Sequence, residues 1–380
     1  MRVAHLWYSL PLFGGAETWA IGLSKALRKL GTESDILCWK TEGSPEHQSF
    51  FKVLDRRVPS SPDIIDALMN GAFMTKDLKE YDLLCVHHTN VLFPAVFCKN
   101  LFGSQVVSIL HSPPIRWALS EEGLVSYRHV SEKSQQMYTL WKMFMPYTDF
   151  FTNTKWNQKL YEKYEAISPL PLLAGVDHEI FKPSDVLREK YRKKLKIDDE
   201  TILLFYASAA GRRKKHELLL RGMQTLIRKG HKVKCVLTCS KDRLSHEFHP
   251  LVGRIVEELG LTEHVFAFPA TSDESLHGFY NACDIYVHPA DNEHLGMAIM
   301  EAMATGKPII AQNNGGVPEI VEDGVEGFLF KTNSVNHMVK CVEKLIADKK
   351  LRETMGKKAF EHSLGFSWAD VAREFLEVVS

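Results

Sequence analysis

Apolar runs of strand length alternate with helical runs twice along this chain, which restricts it to layered α/β architectures. The first series reads Val3–Tyr8 (strand), Glu17–Leu30 (helix), Ser34–Trp39 (strand), Leu83–His87 (strand), Val91–Leu101 (helix), Val106–His111 (strand) and Phe150–Asn153 (strand), with a helix to about Tyr164. A Pro-rich break, Pro169-Leu170-Pro171, follows, and then a segment turning at Gly175 and stopping at Pro183. The second series runs from Thr201–Tyr206 (strand) through His216–Lys229, Lys232–Thr238, Leu251–Leu259, Val265–Phe268, Ser275–Asn281 and Ile285–His288. Helices are expected at Val335–Asp348 and Leu351–His362, and FSWADVAREFLEVVS reads as a closing amphipathic helix. At 380 residues two domains are expected. They are two Rossmann-like doubly wound halves, with ligands at the carboxyl ends of the strands in a cleft. The boundaries are 1–170, 171–365 and a final helix, 366–380, which packs back on the N-terminal domain; Leu170–Val176 is the expected hinge.

Composition removes several classes. Formal net charge is zero, which argues against general nucleic-acid binding. Seven cysteines are scattered without a C-x-x-C pair, so a reducing, cytoplasmic compartment is expected. Cys235 and Cys239 lie in a strand-like run and read as buried thiols. The N-terminal MRVAHLWYSLPLFGGAE is broken by Pro11 and does not read as a signal peptide. No run of about 18 apolar residues suggests a membrane span. None of the seventeen histidines falls in metal-ligand spacing, and His87-His88 point to opposite faces of a strand. REKYRKKLK, from Arg188 to Lys196, reads as a solvated helix face. WKMFMPYTDFF, from Trp141 to Phe151, and Trp117 are candidates for peripheral contact with the inner face of a membrane.

The chemistry concentrates in PADNEHLGMAIMEAMATGKPIIAQNNGGVPEI, from Pro289 to Glu319. Met297–Thr305 is rich in Ala, Met and Ile and reads as a buried helix stopped by Gly306 and Pro308. Pro308–Ala311 is a short buried strand. A helix starting near Gly296 offers free N–H groups of Met297 and Ala298 to an anion. Glu293 precedes that terminus, and Glu301 lies roughly 12 Å further along at ~1.5 Å per residue. Two such carboxylates can bracket an elongated polyhydroxylated ligand. The Glu-x7-Glu spacing alone arises by chance about once or twice in such a chain, and two surface glutamates are ordinarily just solvated; the surrounding residues give it weight. Gly14 and Gly15, in FGGAE, form another turn opening a helix. It is not a G-x-G-x-x-G, which argues against a nicotinamide or flavin cofactor. His111 opens HSPPIRW at a strand end, and SAAGRRKKH holds Arg212, Arg213, Lys214 and Lys215.

The Pro289–Glu319 segment resembles the donor-site signature of retaining glycosyltransferases of family 4, which have the GT-B fold. LAGVDHEIFKP and HSPPIRW are also similar to motifs of that family, the latter to a branch of mannosyltransferases using GDP-linked sugars. The resemblance runs from about Met1 to Trp368 and is strongest from Asp284 to Phe330. It implies transfer of a sugar from a nucleotide-sugar donor, GDP- or UDP-linked, to a glycan or lipid-linked acceptor hydroxyl with retention, and no cofactor or metal. In that family Glu293 orients the sugar, Glu301 holds the ribose, and His111 meets the sugar. Gly14 and Gly15 face the phosphates and acceptor, Gly315 and Gly316 line the sugar pocket, and Pro269 meets the nucleobase. The family's phosphate-site Arg falls near Ser208 here. Arg212 or Arg213 is therefore the candidate substitute, with Lys214 or Lys215 as the lysine. A nucleotide-sugar epimerase or hydrolase, and a non-catalytic nucleotide-sugar-binding protein, are the alternatives.

Overall fold

The computed structural model describes residues 1–7, 14–38, 51–53, 75–87, 91–112, 114, 138, 141–208, 211–239, 245–268 and 273–380. They form two compact units, residues 1–175 with 368–380, and residues 176–367. The division falls after Gly175 rather than Leu170, and before Trp368 rather than at 366. The reason is pairing: Leu170–Pro171 adds to the first sheet, and Val176 N–H donates to the Phe366 carbonyl at 2.9 Å, so 366–367 stay with the second unit.

The first unit contains β1 (Arg2–Trp7), α1 (Gly15–Lys29), β2 (Glu33–Cys38), β3 (Phe51–Val53), β4 (Leu83–Val86), α2 (Leu92–Phe102), β5 (Gln105–Leu110), β6 (Asp149–Thr152), α3 (Lys155–Glu165) and β7 (Leu170–Pro171). Its parallel sheet has the order β3-β2-β1-β4-β5-β6-β7. The second unit contains α4 (Asp185–Lys194), β8 (Ile202–Ser208), α5 (His216–Arg228), β9 (Val233–Cys239), α6 (Ser245–Glu258), β10 (Val265–Phe268), α7 (Asp273–Ala282), β11 (Ile285–His288), α8 (Met297–Ala304), β12 (Ile309–Gln312), β13 (Gly327–Phe330), α9 (Val335–Ala347) and α10 (Lys349–Ser363). Its sheet is also parallel, ordered β10-β9-β8-β11-β12-β13. The final helix, α11 (Trp368–Val379), belongs to the first unit. Strand order reverses between β1 and β4, and again between β8 and β11. In such sheets these are the points where ligands bind.

The local causes are ordinary. The central strands are covered on both faces, so they read as unbroken apolar runs. All four residues of β11 and of β12 are buried. Helices bury one stripe: Leu219, Met223 and Leu226 in α5, and Met338, Val342 and Leu345 in α9, which packs on α5. Thr154, Ser184, Ser334 and Asp348 cap α3, α4, α9 and α10 by accepting from backbone N–H groups. α11 packs on α1, and the Trp368 ring occupies the space that a Cβ on Gly22 would need, 2.1 Å away.

Two surface expectations need correction. The run from Arg188 to Lys196 is not wholly solvated. Arg192 is buried and reaches Asp284 Oδ2 at 3.0 Å, and Arg188 reaches Asp284 Oδ1 at 2.6 Å. The Asp284 side chain is only 8% exposed and accepts from Leu203 N–H at 2.8 Å. A buried carboxylate demands such cations. Trp141 is a core residue packed with Tyr161 and Val106, not a surface one. Met143 and Tyr147, by contrast, are exposed. Trp117 lies outside the described residues. No helix among the described residues is long and apolar enough to cross a membrane. Cys235 is buried, which pushes its thiol well above the usual range.

Candidate functional site

The carboxyl ends of β8, β11 and β12 carry three loops that lock together. After β8, Arg212–Lys214 forms a 3₁₀ turn whose last carbonyl accepts from the Tyr206 hydroxyl at 2.9 Å. After β11, the Asp291–Glu293 loop lies against it. Asp291 N–H donates to the Arg213 carbonyl at 2.8 Å, and the Arg213 guanidinium donates to the Asn292 carbonyl at 3.2 Å. After β12, the Asn314 amide accepts from Asn292 N–H at 3.0 Å and donates to Asp291 Oδ1 at 2.9 Å. Gly316 N–H donates to the Glu293 carbonyl at 2.7 Å.

This framework holds Glu293 buried, at 7% exposure. Lys214 Nζ donates to its Oε2 at 2.6 Å, His288 Nε2 stands 3.0 Å from the same oxygen, and Arg213 reaches Oε1 at 3.5 Å. Burial pushes the Glu293 carboxyl upward, but Lys214 and Arg213 together outweigh it and hold the group well below the carboxylate range. Lys214 is also shifted down, by burial and then by Arg213, despite the attraction of Glu293. Two cations beside one anion hold Glu293 ionised, while for Lys214 burial is the larger cause and Arg213 adds to it. With Lys215, whose Nζ lies 3.9 Å from Asp291 Oδ2, three cations face two carboxylates. The surplus positive charge suits an anionic ligand. Burial keeps His288 and His216 neutral, the latter pushed down to about 3.

Gly296 precedes α8 and no side chain caps that helix; the Ile299 and Met300 N–H groups turn back to the Gly296 carbonyl at 2.8 and 3.2 Å, so the open first-turn donors are those of Met297 and Ala298. Glu301 lies inside α8, half-buried, and accepts from the Tyr280 hydroxyl at 2.7 Å. The positions expected from the sequence thus divide. Arg213, Lys214 and Glu293 converge, while Arg212 is exposed. Ser208 bonds His216 at 2.8 Å instead of carrying a guanidinium. Gly315 and Gly316 buttress the Glu293 backbone. Glu293 is a clamped, buried group rather than a solvated surface one. Pro269 lies outside the described residues. Sequence reasoning passed over His288, Tyr280 and Asn314; a histidine ending a buried strand immediately before Pro289 was the available signal for the first.

In the first unit, Gly14 N–H donates to the Glu17 carboxylate at 2.9 Å, so that donor is engaged within its own turn. Gly15 is exposed at the start of α1. His111 follows β5, where Asn157 and Tyr161 of α3 hold the next carbonyl, Ser112, at 3.3 and 3.0 Å. His111 Nε2 lies 2.8 Å from His87 Nδ1, and His87 Nε2 lies 2.9 Å from His5 Nδ1.

Residues 187–362 match the family described as glycosyl transferases group 1. The chain is 32% identical over 219 residues to the D-inositol 3-phosphate glycosyltransferase of Corynebacterium jeikeium (strain K411), covering 56% of this chain and 52% of that protein. It is 27% identical over 198 residues to the protein of the same name from Thermobifida fusca (strain YX), covering 51% and 45%. The chain thus spans about half the length of the curated relatives it matches. Among solved structures, Anabaena Alr3699/HepE in complex with UDP and glucose superposes with a TM-score of 0.82 at 20% identity, over 100% of this chain and 99% of that one. Sucrose-phosphate synthase from Thermosynechococcus elongatus superposes at 0.81 and 19%, over 100% and 98%. The fold is accordingly the α/β two-domain fold of GT-B glycosyltransferases.

Proposed function

We propose that this chain transfers a sugar from a nucleotide-sugar donor to an acceptor hydroxyl, with retention at the anomeric carbon. The observation that carries this reading is the buried Glu293 clamped by Lys214 and Arg213 at the β8/β11 reversal, inside the segment that matches the group 1 family. Excess positive charge and the uncapped α8 terminus suit a diphosphate, which must be stabilised as it leaves. Glu293 is assigned to hydroxyls of the transferred sugar, Glu301 to ribose hydroxyls, and His111 to a sugar hydroxyl. Lys214 is the phosphate-site lysine, with Arg213 in place of the guanidinium absent at Ser208. The names of the relatives support glycosyl transfer, and a hexosyl group is the sugar proposed here. A GDP- or UDP-linked donor and a glycan or lipid-linked acceptor complete the proposal. Incubation with a panel of labelled nucleotide sugars tests it. Label should move to an added saccharide or lipid acceptor; release of free sugar alone would favour a hydrolase, and binding without turnover a sensor.

The two lysines test the phosphate contacts. Replacing Lys214 and Lys215 together with Ala should weaken nucleoside diphosphate binding by about tenfold or more, since charge-assisted hydrogen bonds contribute about 1.5–3 kcal/mol each. Calorimetric titration reads this directly; unchanged affinity would move the contacts to Arg212 or Arg213. Because cations and helix N–H groups carry the diphosphate, turnover should also survive EDTA. Loss restored only by Mg²⁺ or Mn²⁺ would refute that assignment.

We propose peripheral membrane contact through Phe97, Leu101 and Phe102 of α2 and the neighbouring Met143 and Tyr147, all exposed, with Lys99 bridging the two segments through the Tyr147 carbonyl at 2.9 Å. Sedimentation with anionic vesicles should carry the protein down, and Leu101→Glu with Phe102→Glu should abolish this.

A further inference from the structure

Three imidazoles of the first unit form one chain of hydrogen bonds, of which only the outermost, His111, has a role in the transfer proposed above. His5 stands in the middle of β1 and is fully buried, His87 follows β4 and is buried, and His111 follows β5 and is half-buried. The contacts run His5 Nδ1 to His87 Nε2 at 2.9 Å, then His87 Nδ1 to His111 Nε2 at 2.8 Å. Beyond them the Asn153 amide nitrogen faces His111 Nδ1 at 3.4 Å. Trp7 lies parallel to His87 at 5.0 Å, and Trp19 meets His111 edge-on at 5.4 Å, so the rings have little room to turn. Burial keeps all three neutral: His5 and His111 are each pushed down to about 3, and His87 well below its usual range.

Neutrality makes the chain restrictive. Each ring carries one N–H, and each N···N link needs one donor and one acceptor. Only two arrangements satisfy both links: all three rings protonated on Nε2, or all three on Nδ1. The Asn153 amide N–H, pointing at His111 Nδ1, favours the first. In that arrangement His5 Nε2 carries the innermost proton, and among the described residues this atom has no hydrogen-bond partner. With no acceptor for that proton among the described residues, the chain does not reverse by proton transfer. His111 Nδ1 is then a lone pair whose one contact among the described residues is the long one to Asn153.

We propose that His5 and His87 are positioning residues that lock His111 as a hydrogen-bond acceptor, so that its Nδ1 selects a ligand hydroxyl. The ligand's identity as a sugar rests on the function proposed above; the lock stands on the geometry of the first unit alone. The same logic governs metal-bound imidazoles, whose far nitrogen sets the tautomer of the near one.

Long-range ¹H–¹⁵N correlation spectra of ¹⁵N-histidine-labelled wild-type protein at neutral pH test the lock without any variant or donor. All three rings should show Nε2–H with unprotonated Nδ1. A mixed set, or Nδ1–H at all three, overturns the proposal. His5→Phe should then release the lock: the His111 nitrogen pattern should change although His5 does not touch it. In transfer assays kcat should fall about tenfold with little change in donor KM, and His5→Gln, which retains an acceptor, should recover part of it. An unchanged His111 pattern together with unchanged kcat in His5→Phe would likewise overturn it. If no donor is turned over, the proposed reaction fails while the nitrogen spectra still decide the lock.

Discussion

Glu293→Gln should lower kcat for transfer by roughly 10- to 150-fold while leaving affinity for the bare nucleoside diphosphate near that of the wild type. The amide keeps the shape of the carboxylate and can still accept from Lys214, but it carries no charge. A sugar acquiring positive character at its anomeric carbon needs that charge most in the transition state, so the loss falls on kcat. Glu301→Gln should show the opposite pattern, a raised donor KM and weaker diphosphate binding, because ribose hydroxyls are remote from the breaking bond. The swapped pattern would overturn both assignments. Glu293→Gln should also reveal its role in stability. The folded pKa of Glu293 lies below its unfolded value near 4.5, so its contribution is fully present above that pH and is lost as pH falls through the folded value. Thermal unfolding should therefore show the variant less stable by about 1–3 kcal/mol at pH 7, with the gap narrowing on acidification. A constant gap from pH 7 to pH 3 would mean that Glu293 is not the ionised, clamped group described.

How far the sequence disclosed this site follows from whether the determinants are local. β11, β12 and α8 were readable because a strand buried on both faces must be apolar throughout, and an Ala/Met/Ile run broken only by Glu301 admits little else. Glu293 stood out by its neighbours. Its partners did not, because Arg213 and Lys214 reach it from the loop after β8, and the adjacency of β8 to β11 is a fact of sheet order. The same reason hid Arg192: a basic run has one appearance whether it faces water or, as here, a buried Asp284. The choice of Lys214 over Lys215 turns on backbone. Lys215 takes φ 50° between the 3₁₀ turn and α5, and this places Lys214, not its neighbour, on Glu293. His5 left a visible trace, a histidine inside the apolar run VAHLW, but its meaning depends on His87 and His111 arriving from two other strands.

Gly315→Ala should be the most damaging single methyl added to the second unit's site. Gly315 has φ +62°, a conformation that costs an L-residue about 1–2 kcal/mol. Its new Cβ would also stand 2.4 Å from the Glu293 carbonyl oxygen and 2.7 Å from the Glu293 nitrogen. These are backbone atoms, the carbonyl tied down by Gly316 N–H and the preceding Asn292 N–H by the Asn314 side chain, so they cannot yield as a side chain would. Together the strain and overlap should cost about 3 kcal/mol or more, a fall in melting temperature of about 6–12 °C for a unit of this size. Transfer should fall with it, because the displaced group carries the clamped carboxylate. Gly222→Ala is the control. Its Cβ would meet the Met338 terminal methyl at 2.0 Å, the flexible end of a side chain that can re-pack, within a helix that favours Ala over Gly by about 1 kcal/mol. That variant should keep full activity with a melting temperature within a few degrees of wild type. If Gly315→Ala behaves like Gly222→Ala, the loop after β12 is not what holds Glu293 in place, and the rigidity of the site must come from the Lys214 and Arg213 clamp alone.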